Sequence, residues 1–238
     1  RLAVGIAQAH FERSSFDLIY ARPHQTLQEW RAELDEALDM AMGHLSLYQL
    51  TIEQGTRFFD LRAAGKLPLP DADLSADLYQ LTREMTASAG LPAYEISNHA
   101  RPGEESRHNL LYWRYGEYAG VGPGAHGRIL IDGVRHATAC ERHPETWRNA
   151  VDTGGHGIVV DDRLTWEEEA DEFLLMGLRL REGIDLNRYQ ALSGRELNPR
   201  QIAELDRIGF VERLPGARLR VTDKGWPVLD AVVADLAM

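Results

Sequence analysis

The sequence predicts an α/β protein: strands alternating with helices over residues 1–157, then a small winged-helix-like α+β domain over residues 158–238. Three observations carry this. Short apolar runs rich in strand formers alternate with longer stretches of helical period in the first part. The run Gly154-Gly155-His156-Gly157 interrupts the pattern and reads as a linker, with a tight turn as its other reading. Beyond it, three helices and a hairpin follow in the order of a winged helix.

The first strand is Ser15-Phe16-Asp17-Leu18-Ile19-Tyr20, closed by Pro23. Thr26 and Glu29 form a capping-box pattern, opening a helix with Leu27, Trp30, Leu34, Ala37, Leu38 and Ala41 at helical spacing, ended by Gly43. Residues 44–51 are a second strand, and strand–helix–strand of this length makes a βαβ unit with parallel strands. Residues 71–90 read as an amphipathic helix with Leu74, Leu78, Leu81 and Met85 on one stripe. A further strand is expected at 94–97, and the polar, aperiodic stretch 98–113 reads as a loop. Ile129, Ile131, Val134 and His136 flank Asp132-Gly133, a dipeptide that favours a two-residue hairpin turn. Thr165 caps a helix over 164–180 whose first turn is acidic. Shorter helices are expected near 186–192 and 199–208, a hairpin from 210–213 and 218–221 about Pro215-Gly216, and a last helix over about 224–236. There is no internal repeat.

Composition excludes several classes. Hydrophobic content of 44% and charged content of 26% are ordinary for a soluble protein. A net charge of −11 argues against nucleic acid or an anionic membrane as partner. Residues 159–238 hold eleven Lys/Arg against sixteen Asp/Glu, the wrong balance for a winged helix that reads DNA. No apolar run approaches the roughly 18 residues of a transmembrane helix, and Arg1-Leu2-Ala3-Val4-Gly5 does not open a signal peptide. Cys140 is the single cysteine, so no disulfide forms within the chain and a cytoplasmic protein is expected. One thiol also cannot hold an iron–sulfur cluster, which needs three or four.

The densest chemistry lies in His108-Asn109-Leu110-Leu111-Tyr112-Trp113, flanked by Arg107 and Arg114. A helical turn would put His108 and Tyr112 on one face. Imidazole is an axial ligand for heme iron, aromatic rings pack on a porphyrin, and arginines pair with propionates. By spacing alone, a satisfied structural histidine beside a partly buried aromatic pair is the favoured reading. Asp17, acidic in an apolar strand, either caps a neighbouring loop or binds a ligand. Gly120-Val121-Gly122-Pro123-Gly124-Ala125-His126 lacks the strand-before, helix-after context of a phosphate loop. Glu53 reads as the start of a helix, and the remaining histidines have no metal-ligand spacing.

Together with Asp17-Leu18-Ile19-Tyr20, residues 46–53 (Ser-Leu-Tyr-Gln-Leu-Thr-Ile-Glu) and Tyr94-Glu95-Ile96-Ser97-Asn98, these motifs resemble the oxygen-independent coproporphyrinogen III oxidase-like radical-SAM family. The resemblance runs over the whole chain in the same order, and His-Asn-x-x-Tyr-Trp points to its branch of HemW-type heme chaperones. It implies a partial radical-SAM (β/α) barrel, with the first residues forming the helix before the fifth strand. It implies a fragment, because the family's Cys-x-x-x-Cys-x-x-Cys triplet is missing. S-adenosylmethionine and a [4Fe-4S] cluster belong to the full-length member, and this chain is expected to be non-catalytic. In the family His108 would ligate heme beside Tyr112 and Trp113. Asp17, Thr51 and His126 would contact S-adenosylmethionine, the first two at the carboxyl ends of parallel strands. The family usually reads Tyr-Gly-x-Pro-Gly-Gln-Thr, whereas this chain has Tyr20-Ala21-Arg22-Pro23-His24-Gln25-Thr26, and losing two glycines changes the angles open to the loop. His99 stands where the family has phenylalanine. The function implied is a heme-binding chaperone that delivers heme to apo-hemoproteins, with the porphyrin-biosynthetic oxidase as the alternative that lacks the motif. An open sheet edge left by the missing half would invite self-association.

Overall fold

The computed structural model describes residues 1–237, which form two compact units, 1–106 and the residues from Arg107 onward. The first begins with α1 (Leu2–His10), none of whose residues is buried. Strand β1 (Asp17–Tyr20), helix α2 (Leu27–Met40) and strand β2 (His44–Gln49) then make the expected βαβ unit. The strands are parallel, with Asp17 opposite Ser46 and Tyr20 opposite Gln49. Thr26 caps α2 through the anticipated box: its Oγ1 accepts from the Glu29 N–H while the Glu29 carboxylate accepts from the Thr26 N–H. Helices α3 (Arg57–Ala63) and α4 (Ala72–Ser88) follow, α4 capped by Asp71. Trp30, Leu34, Leu45, Leu47 and Leu78 are buried in one core. Tyr20 stacks on Trp30 at 5.1 Å, and the Trp30 indole N–H donates to Thr82 at 2.8 Å, so the polar end of this buried aromatic is satisfied.

The third strand, β3 (Asn98–Ala100), runs antiparallel to β2 and is displaced from the expected 94–97. The buried Glu95 carboxylate explains the shift. It accepts from the Ser97 N–H and the Asn98 side chain, curling 94–97 into a turn before pairing begins. The stretch 98–113 is therefore not a loop, since β3 and a helix, α5 (Arg107–Trp113), occupy its two ends.

The second unit opens with α5 and continues through β4 (His126–Ile131), β5 (Val134–Cys140), α6 (Pro144–Gly154) and β6 (Ile158–Arg163). The β4–β5 turn has Asp132 at φ 52° and Gly133 at φ 80°, positive at both positions as a type I′ turn requires. β6 pairs with β5, and Gly155 caps α6 in the left-handed region. The glycine run at 154–157 is thus a turn inside one unit rather than a linker, and the compact units meet at Ser106/Arg107 instead of 157/158. No periodicity announces this, because a helix C-cap and an interdomain linker use the same glycines. Next come α7 (Trp166–Gly177), with a second complete capping box at Thr165 and Glu168, β7 (Ile184–Asp185), α8 (Leu186–Ser193) and α9 (Pro199–Arg207). The wing, β8 (Val211–Leu214) and β9 (Arg218–Val221), takes β7 as its third strand, and α10 (Leu229–Ala237) closes the fold. Phe173, Leu174, Tyr189, Ile202, Leu219 and Trp226 are among its buried residues.

Candidate functional site

Helix α5 brings the sequence motif together. His108 is exposed and lies edge-on to Tyr112 one turn later, with ring centroids 5.5 Å apart. Tyr112 in turn meets Trp113 at 4.9 Å and Tyr118 at 6.4 Å. The indole nitrogen of Trp113 is buried without a hydrogen-bond partner among the described residues, and the Arg179 guanidinium lies 5.9 Å from its ring. The result is an imidazole open to a ligand, backed by three aromatic rings and one unused N–H donor. Tyr118 was not singled out from the sequence. It comes to the cluster because its backbone exchanges two 2.8 Å hydrogen bonds with Arg128 of β4, a pairing with no local sequence signal.

α5 ends in an unusual cap. The Tyr115 N–H donates to the Tyr112 carbonyl and the Gly116 N–H to the Leu111 carbonyl, the Schellman pattern. The left-handed position in that pattern normally holds glycine, yet here it is a buried Tyr115 at φ 53°. Arg188 donates to the carbonyls of Arg114 and Tyr115 at 2.6 and 2.9 Å, satisfying the helix end. The Tyr115 hydroxyl donates to Glu172 at 2.9 Å; burial and that carboxylate push the phenol far above its ordinary range. Arg114, expected to meet propionates, is held by Glu182 in a two-pronged ion pair at 2.7 and 2.8 Å. Arg107 remains exposed at the other end of α5.

Of the residues expected at S-adenosylmethionine, Asp17 and Thr51 lie toward opposite ends of the β1–β2 pair. Asp17 is the first residue of β1, at its amino end, while Thr51 lies two residues past the carboxyl end of β2. Since Asp17 pairs with Ser46, five residues separate the two along β2, roughly 16 Å at strand rise. Both are exposed, and His126 belongs to the other unit, exposed at the first position of β4. The glycine loop before it folds onto β5: the Gly124 N–H donates to Glu141 and the Cys140 N–H to Ala125, both at 2.8 Å. A Cβ on Gly127 would lie 2.9 Å from the Gly120 nitrogen, so close backbone packing accounts for Gly120 and Gly127, while Gly122 and Gly124 hold positive φ. An iron–sulfur cluster does not fit this chain, which has one cysteine, buried, and no group of three or more metal-ligating side chains among the described residues. A groove of about 510 Å³ along α2 and α4 is lined by Asp35, Asp39 and Glu84 against Arg31, unsuited to a dianionic porphyrin.

An α/β unit followed by a winged-helix-like module, with an exposed histidine on an aromatic-backed helix, defines a class that comparison makes specific. Residues 164–228 match the HemN C-terminal domain family. The fold matches Escherichia coli coproporphyrinogen III oxidase (HemN), described as a radical SAM enzyme, with a TM-score of 0.75 at 17% identity, covering 100% of this chain and 58% of that one. The chain is 42% identical over 182 residues to mouse mitochondrial radical S-adenosyl methionine domain-containing protein 1, covering 75% of this chain and 41% of that protein. It is 31% identical to the heme chaperone HemW of Lactococcus lactis, covering 93% of this chain and 57% of that protein. The chain is therefore similar to the radical S-adenosyl methionine domain-containing protein 1 and heme chaperone HemW sequences, carries a HemN C-terminal domain, and spans about half the length of the curated relatives it matches.

Proposed function

We propose that this chain is the heme-holding part of a chaperone that passes heme to apo-hemoproteins. One observation carries the reading: His108 is exposed on α5 with Tyr112 edge-on at 5.5 Å and Trp113 beyond it, an axial ligand beside an aromatic wall. The HemW relative, named as a heme chaperone, supports it. Heme is cargo here and needs one good ligand and an apolar face, both of which α5 offers. Arg107, not the ion-paired Arg114, is the guanidinium available to a propionate. One thiol cannot hold the radical-SAM cluster, so decarboxylation chemistry is no part of this chain's proposed role. Asp17, Thr51 and His126 are proposed S-adenosylmethionine contacts only in a longer chain that completes their surroundings. Self-association is part of the proposal, since β1 has a single neighbour among the described residues and Ile19 is 47% exposed on it. No helix of the described residues is long and apolar enough to cross a membrane.

The test is titration with ferric heme followed by gel filtration. The parent should retain a Soret band, His108→Ala should lose most of it, and His143→Ala, at the cap of α6, should keep it. Equal retention by both variants would overturn His108 as the ligand.

A further inference from the structure

A buried tyrosine in a backbone position that favours glycine needs a reason, and α7 supplies it. The left-handed conformation strains a bulky residue, and a glycine at position 115 would avoid that strain. What glycine would lose is the side chain: its hydroxyl bonds Glu172, and its ring lies 4.2 Å beneath the Arg135 guanidinium. The same Glu172 carboxylate takes Arg128 in a two-pronged ion pair at 2.6 and 2.9 Å. Arg128 is the residue whose backbone holds Tyr118, the ring that faces Tyr112. One carboxylate on α7 therefore ties down both sides of the aromatic cluster, the exit of α5 through Tyr115 and the Tyr118 strand through Arg128.

We propose that Glu172 is a positioning residue for the His108–Tyr112–Trp113 site, and that α7 serves as the platform that fixes the geometry of that site. The inference rests on the heme reading above. Groups that orient a metal's ligand typically change affinity about 10–100-fold when removed.

The experiment compares ferric-heme affinity, Soret position and low-temperature EPR of the parent chain with four variants. Glu172→Gln keeps the size but cannot serve both partners as an ion. Tyr115→Phe removes only the hydroxyl bond. Glu212→Gln breaks an ion pair of similar type in the wing, where Arg220 lies at 2.8 Å, and controls for general loosening. His108→Ala reports on the heme reading itself. The expected result is affinity about tenfold weaker for Glu172→Gln, with a shifted EPR signature, a smaller change of the same kind in Tyr115→Phe, and parent behaviour in Glu212→Gln. Parent-like affinity and spectra in Glu172→Gln would overturn the positioning role while leaving heme binding intact. An equal change in Glu212→Gln would overturn it too, as general softening. Undiminished binding by His108→Ala would remove His108 as the heme ligand, and the positioning role with it.

Discussion

Burying an imidazole without partners for its nitrogens carries a desolvation cost, and His99 shows it. The side chain is 2% exposed on β3, and neither ring nitrogen has a hydrogen-bond partner among the described residues. Burial lowers its pKa to about 3, and the positive charges of Arg83 and His44 push in the same direction. The unfolded chain takes up this proton near the ordinary 6.5, so the folded state binds fewer protons between the two values. Stability is whole above about pH 6.5 and is lost as pH falls toward 3, by up to about 1.4 kcal/mol per pH unit. Glu95 works the other way: burial raises its carboxyl, so its contribution is present at low pH and lost as pH rises through that raised value. His99→Phe should stabilise the first unit by roughly 1–3 kcal/mol at neutral pH and remove the acid-side loss. Urea melts at pH 7 and pH 5 check this, and a variant less stable than its parent at both would contradict it.

At the scale of an element, the loop between β1 and α2 shows backbone geometry outlasting the residues suited to it. Ala21 and His24 stand where the resembling family has glycines, and they are the two residues of that loop with positive φ, 56° and 62°. The path of the loop is set by its ends, Tyr20 stacked on Trp30 and Thr26 capping α2, so the substituted residues accept the strained angle. His24→Gly, at an exposed position, should raise stability by about 0.5–1 kcal/mol, read as a higher urea midpoint with unchanged slope. An unchanged or lower midpoint would show that the loop relaxes without it. Local signals of this kind were legible in the sequence: the Thr26–Glu29 capping box, the Thr165 cap, the Asp132-Gly133 turn, and the periods of α2 and α4. What was not legible depends on partners distant along the chain. β3 starts late because of one buried carboxylate, and α5 is helical where its polar letters suggested a loop. Asp17 sits at the wrong strand end because register, not composition, decides it. The aromatic motif itself was readable, but Tyr118, Glu172 and the capture of Arg114 by Glu182 come only from tertiary pairing.

Across the whole molecule, the charge distribution is unsuited to a polyanionic partner. The chain carries −11, and its winged-helix-like module is acidic as well. Several of its basic side chains are paired internally: Arg128, Arg135, Arg179 and Arg220 all face carboxylates. One thiol remains in this arrangement. Cys140 is 6% exposed beneath the glycine loop, its Sγ 3.7 Å from the Gly120 carbonyl and its N–H bonded to Ala125. A chromogenic disulfide reagent can reach it only when that loop lifts, so labelling kinetics become a clock for a local opening invisible to global melts. The native rate divided by the rate in denaturant gives the fraction of time the loop stands open, expected to be small because backbone hydrogen bonds tie the loop to β5 and Glu141. Labelling at the denatured rate would mean the loop is never closed. Because the chain holds no second cysteine, every count of released thiolate comes from that single door.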